Sequence, residues 1–92
     1  MTRDQQVTAI AEAFTEVLRQ WLTREELERV RERNALQSDP NVCHSHDFCD
    51  ANMAMAPAFE QVVGREPDVA SEADAALWSE AWDLAKRLYL TA

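Results

Sequence analysis

Apolar side chains recur at helical spacing through the first quarter of the chain. We expect a first helix that begins between Thr2 and Asp4 and ends at Leu22. Its apolar positions are separated by three and four residues, which places them on one stripe of an α-helix: Val7, Ile10, Phe14, Val17, Leu18 and Trp21.

A capping pattern follows this stripe at once. Thr23 and Glu26 form the Thr-x-x-Glu sequence of a capping box, so a second helix is predicted over residues 24–37. A single bent helix over residues 4–37 is the alternative. The second apolar stripe is thin: Leu27, Val30 and Leu36.

Ser38-Asp39-Pro40 predicts the start of a third helix, because proline is favoured at the first helical position. This helix is predicted over residues 40–63 and is ended by Gly64 as a left-handed C-cap. Pro57 removes one backbone hydrogen bond, so a kink or break is expected near residues 53–57. The predicted core face is Phe48, Asn52, Met55, Phe59 and Val62.

Ser71 and Asp74 give another capping signature and open a last helix that runs to about Leu90. Its apolar face is wide: Leu77, Trp78, Ala81, Trp82, Leu84, Ala85, Leu88 and Tyr89. The pattern therefore predicts one all-α domain over residues 1–92, a three- to four-helix antiparallel bundle. Because a chain this short buries a limited fraction of its surface, we also expect self-association as a homodimer.

Composition supports helices and narrows the partner class. Fifteen residues are alanine and one is glycine, which favours helices. The net charge of −8 argues against direct nucleic-acid binding, which needs a basic face, and favours a basic protein partner. The polar N-terminus and the lack of a long apolar run predict a cytoplasmic protein with no signal peptide and no membrane contact.

Residues 43–50 read Cys-His-Ser-His-Asp-Phe-Cys-Asp and hold both cysteines and both histidines. On a helix the cysteines lie roughly 9 Å apart along the axis, too far for a disulfide, so we expect reduced thiols. Helical spacing turns a set of four residues away from the core face: Cys43, His46, Asp47 and Asp50.

Three interpretations of this face compete. In the first, His46 and Asp50 form an exposed i, i+4 pair with no further role. In the second, Cys43, His46, Asp47 and Asp50 contact a partner protein. In the third, Cys43 and His46 ligate a metal such as zinc together with Asp50 or Cys49. Structural zinc sites usually draw ligand pairs from two separate segments, and no second Cys/His pair is present. A metal would therefore have to be shared across a dimer.

An enzyme is not expected. The chain has no glycine-rich phosphate loop. His46-Asp47 is similar to the dipeptide of HD-type phosphohydrolases, but their further histidine and aspartate ligands have no counterpart here. We therefore expect no catalytic residue and no cofactor, apart from the zinc of the alternative interpretation.

The segment Ser-His-Asp-Phe-Cys-Asp-Ala-Asn-Met-Ala-Met, residues 45–55, resembles a segment of small bacteriophage and prophage proteins. The resemblance covers residues 39–59. It implies a phage-encoded accessory protein acting in the host cytoplasm. By analogy of size and charge, it also suggests an inhibitor of host machinery, such as an anti-CRISPR protein that occupies a basic nucleic-acid-binding surface.

The metal interpretation makes a direct prediction. If Cys43, His46 and Cys49 ligate zinc across a dimer, protein purified without a metal-affinity tag contains one zinc per two chains, measured by elemental analysis. Cys43→Ser should remove that metal, because the thiolate is the ligand. Metal-free wild-type protein would contradict the zinc alternative.

Overall fold

The computed structural model describes residues 1–29, 46–68 and 70–91, and the side chains of residues 1–27, 53–68 and 70–91. Within these ranges there are four helices and no strand: α1 (Arg3–Trp21), α2 (Arg24–Arg29), α3 (His46–Val63) and α4 (Glu72–Thr91). The predicted all-α class is confirmed. The helix count over the whole chain stays a prediction.

A reciprocal capping box starts α1 at the predicted place. The Gln5 N–H donates to Thr2 Oγ1 at 3.2 Å, and the Thr2 N–H donates to Gln5 Oε1 at 2.9 Å. The exchange satisfies donors that the first turn of a helix cannot pair internally.

The predicted break after α1 is also present. Leu22 is extended, with φ −131° and ψ 140°. The Glu26 N–H donates to Thr23 Oγ1 at 3.1 Å, and the Thr23 N–H donates to Glu26 Oε1 at 3.0 Å. The single-helix alternative is therefore wrong. Residues 30–37 of the predicted second helix lie outside the described residues.

Gly64 ends α3 as predicted, with φ 88° and its N–H donating to the Glu60 carbonyl at 2.8 Å. α3 continues through Pro57, so the proline does not break the helix, while the kink stays a prediction. Pro57 and Met53 are both exposed, so water can bond the Met53 carbonyl that proline leaves without a donor. Residues 40–45 of the predicted third helix lie outside the described residues.

α1 is the central helix of the described core, because it packs against both α3 and α4, while α2 contacts α4. The Phe14 ring meets the Trp78 ring edge to face, with centroids 5.0 Å apart, and Phe59 lies 5.9 Å from the same indole. One residue from each long helix therefore meets at Trp78. The buried residues of α1 are Ile10, Ala11, Phe14, Thr15 and Leu18.

The predicted apolar faces agree with this packing at most of the described positions, but Trp21 of the α1 stripe is 44% exposed. Met55 and Phe59 of α3 are fully buried, and Trp78 and Trp82 of α4 are almost fully buried. Val62, Leu84 and Tyr89 are partly buried, and Leu88 is 37% exposed. The side chains of Phe48 and Asn52 lie outside the described residues.

Two contacts define the relation between α1 and α4. Arg3, at the start of α1, forms an ion pair with Glu80 at 2.5 Å. At the other end of α1, the Leu22 carbonyl accepts from the Tyr89 hydroxyl at 2.7 Å. The contacts advance toward the carboxyl ends of both helices, so α1 and α4 run in the same general direction. An antiparallel bundle of three long helices also places its first and third helices in the same direction, so this pair does not contradict the predicted bundle.

Two buried polar groups among the described side chains differ in their hydrogen bonding. Thr15 is buried, and its hydroxyl donates to the Ala11 carbonyl at 2.7 Å. Trp78 is 2% exposed, and its Nε1–H has no hydrogen-bond partner within the described part of the chain. An unpaired buried donor costs about 1–3 kcal/mol. The ring contacts with Phe14 and Phe59 have to outweigh that cost.

Truncating the ring at the helix junction should reduce stability strongly. Phe14→Ala is expected to lower the free energy of unfolding by about 3–5 kcal/mol, because it removes the ring that packs on Trp78 and leaves a cavity. Met53→Ala, at a position 74% exposed, is the control and should change stability by less than about 0.5 kcal/mol. Urea titration followed by tryptophan fluorescence measures both. Equal effects would contradict the described core.

Candidate partner-binding surface

The structure describes the backbone of part of the predicted contact face. His46, Asp47, Cys49 and Asp50 belong to the first turns of α3, but their side chains lie outside the described residues, as does all of Cys43. Their roles in partner or metal binding stay predictions. The described residues instead define an acidic surface at the other end of the same helix.

Asp74 organises the connection from α3 to α4. Its carboxylate is buried, with 1% of the residue exposed. The Arg65 guanidinium donates to both oxygens, from Nη1 to Oδ2 at 2.6 Å and from Nη2 to Oδ1 at 2.7 Å. The Asp68 N–H donates to Oδ2 at 2.8 Å. A buried carboxylate is stable only with such partners, so these bonds close the turn around Asp74.

These contacts change the acid–base behaviour of Asp74. The hydrogen bonds from Arg65 favour the ionised carboxylate and lower its pKa from the ordinary 3.8 to about 2, against the opposing effect of burial. The Asp68 N–H acts in the same direction as Arg65. The same pairing raises the pKa of Arg65. Asp74 is therefore ionised at every pH at which the protein would function.

The acidic corner, as we call residues 60–74, carries five carboxylates and one cation, a net charge of −4. The cation is Arg65, and its charge is compensated by Asp74. The other four carboxylates belong to exposed residues: Glu60, Glu66, Asp68 and Glu72. Arg65 is itself exposed, with 54% of its side chain accessible, and it is the one cation beside these four carboxylates, so the exposed part of the corner is negative overall.

Sequence reasoning found only half of this arrangement. It assigned Asp74 to a capping pattern with Ser71, and the Asp74 N–H does donate to Ser71 Oγ at 3.2 Å. The Asp74 carboxylate, however, turns back to Arg65 and Asp68. The sequence did contain a signal for this ion pair. An arginine directly follows Gly64, which ends α3, and only a short connection separates it from the acidic first turn of α4.

Two surface grooves lie between α1 and α4. One has a volume of about 290 Å³ and is lined by Glu12, Thr15, Glu16, Arg19 and Leu88. The other has a volume of about 260 Å³ and is lined by Arg3, Asp4, Val7, Glu80, Asp83, Leu84 and Arg87. Ion pairs span part of each lining, between Arg19 and Glu16 and between Arg3 and Glu80.

Among the described residues, no group of three or more histidine, cysteine, aspartate or glutamate side chains is arranged to hold a metal ion. None of the described helices is long and apolar enough to cross a membrane.

Comparisons with protein-family models, with curated proteins and with solved structures found no match to this chain. Its function therefore has to be argued from its own surface and charge.

The Asp74 contacts predict a specific loss of stability in acid. A pKa held at about 2 in the folded state, against an ordinary 3.8, stabilises the fold above about pH 4. That contribution is lost as the pH falls through about 2. Urea unfolding at neutral pH and at several points between pH 4 and 2 measures it.

Asp74→Asn removes the titrating group and should flatten this part of the pH profile. It should also lower stability at pH 7 by about 1–3 kcal/mol, because the Arg65 bonds lose their charge-assisted character. Glu72→Gln, which alters an exposed carboxylate in the same turn, is the control. An unchanged acid profile in Asp74→Asn would contradict the assignment.

Proposed function

We propose that this protein is a non-enzymatic binding protein whose acidic surface engages a basic protein partner. The observation that carries the proposal is the acidic corner. Its single cation forms an ion pair with a buried carboxylate, and the corner also contains four exposed acidic residues. A surface of one sign attracts a partner of the opposite sign and raises the rate of association.

The sequence of α3 extends this surface. Residues 34–64 contain no lysine or arginine, so the described span of α3 carries Asp47, Asp50 and Glu60 without any cation. At 1.5 Å per residue, Asp50 and Glu60 lie about 15 Å apart along one continuous helix. The acidic residues of the predicted contact face and Glu60 of the acidic corner therefore belong to one helix that carries no lysine or arginine.

The partner class follows from charge complementarity. Proteins that bind nucleic acids expose rows of lysine and arginine spaced to meet phosphates. An anionic helix that ends in an acidic corner presents carboxylates to such a surface. We propose a host nucleic-acid-binding protein as the partner and inhibition by occupying its basic surface as the effect, in the phage setting that residues 45–55 suggest.

The test is quantitative capture of partners from bacterial lysate, with the full chain as bait and the captured proteins identified. The captured proteins should be basic, and they should be released as salt rises from about 0.1 M to about 0.5 M, because screening weakens exposed charge pairs. Glu60→Lys/Glu66→Lys and Asp47→Lys/Asp50→Lys should each reduce capture strongly.

A matched variant separates a defined surface from overall charge. Glu12→Lys/Glu25→Lys makes the same change in net charge at exposed positions of α1 and α2 and should retain capture. Equal losses in all three variants would show that net charge alone drives binding. Capture that is insensitive to salt and to every reversal would disprove the proposal.

A further inference from the structure

The break between α1 and α2 occurs where the local sequence does not require one. Residues 3–29 contain neither glycine nor proline. Leu22 is extended, although leucine is a good helix former, and Thr23 is only moderately unfavourable inside a helix. The capping box of Thr23 and Glu26 favours the break locally. The capping box does not, however, supply a hydrogen-bond donor to the Leu22 carbonyl.

The Leu22 carbonyl obtains its donor from outside the segment. In a continuous helix it would accept from the Glu26 N–H, four residues later. Here the Glu26 N–H donates to Thr23 Oγ1 instead. Leu22 is 4% exposed, which limits access of water to its backbone. The Tyr89 hydroxyl, from the last turn of α4, donates to this carbonyl at 2.7 Å.

A second hydrogen bond also joins the break to the end of α4, but here the donor lies on the side of the break. The Arg24 guanidinium, at the first position of α2, donates to the Leu90 carbonyl. The last carbonyls of a helix have no internal donor, and a cation is favoured there by the helix dipole. The end of α4 thus supplies a donor to the break, and the start of α2 supplies a donor to the end of α4.

From this reciprocal exchange we infer that the last turn of α4 is a latch that holds the break, and that its release lets α1 and α2 join into one helix. We call the Tyr89–Leu22 and Arg24–Leu90 bonds the latch. Joining would return the Leu22 carbonyl to the Glu26 N–H. It would also withdraw Leu27, which is fully buried, from its present position in the core. The broken arrangement is the one in the structure, and the joined helix is the second arrangement that we propose.

The latch makes the direction of α2 depend on the end of α4. α2 contacts α4, so a partner that covers Tyr89 or displaces the last turn would change where α2 points. This coupling is a property of the fold and does not rest on the proposed acidic interface.

The test compares loss of the latch with loss of the capping box in the full chain. Tyr89→Phe/Arg24→Gln removes both latch bonds and leaves Thr23 and Glu26 intact. Thr23→Ala removes the capping-box bond from the Glu26 N–H to Thr23 Oγ1 and leaves the latch. Backbone Cα chemical shifts of residues 22 and 23 report extended or helical conformation directly. They should move toward helical values in the latch variant and remain extended in Thr23→Ala.

Two controls keep the result decisive. Thr91→Val removes a hydroxyl from the same turn whose bond, to the Arg87 carbonyl, is local to α4, and it should leave both shifts unchanged. Tyr89→Phe alone keeps the ring and should move the shifts in the same direction by a smaller amount, which covers the case of a poorly folded double variant. Extended shifts in both latch variants, or helical shifts in Thr23→Ala, would overturn the inference.

Discussion

The described structure depends on burying one stripe of α1 against two other helices. A domain of 92 residues has room for one modest core. In that core α1 packs against both α3 and α4. Phe14 reaches Trp78 of α4, and Trp78 in turn contacts Phe59 of α3. Alanines at fully buried positions of α1 and α4, Ala11, Ala81 and Ala85, suit helices that approach closely. Among the described residues the Trp78 indole N–H has no hydrogen-bond partner, so its described contacts at this junction are those of the rings.

Buried charge is confined to a place where it helps to define the fold. Asp74 is the one buried ionisable residue among the described side chains. It lies in the first turn of α4, directly after the connection from α3. A carboxylate in that position would be costly alone, and the bidentate Arg65 and the Asp68 N–H satisfy it. The same pairing has a consequence at the surface, because it uses the only cation of the acidic corner. Fold geometry and surface electrostatics are therefore set by one group of contacts.

Features encoded by short stretches of sequence could be predicted, and features that join distant stretches could not. The capping box at Thr23 and the C-cap at Gly64 each depend on residues within four positions, so a single sequence carries the whole signal. The Tyr89–Leu22 bond spans 67 positions, and only the packing of α4 along α1 creates it. The relative direction of those helices is likewise a property of packing. Of the candidate site, the sequence indicated an acidic contact face on α3, whereas the acidic corner required knowing that Arg65 turns toward Asp74.

Among the described side chains, ion pairs form on α1 and between α1 and α4. One lies within α1, between Glu16 and Arg19, and one joins α1 to α4, between Arg3 and Glu80. Such exposed pairs contribute at most about 1 kcal/mol each, so folding does not demand them. The sequence of α3 contains no lysine or arginine, and a helix without cations of its own loses little stability at such small energies. The acids of α3 can therefore be retained for the proposed contact with a basic partner at little cost to the fold.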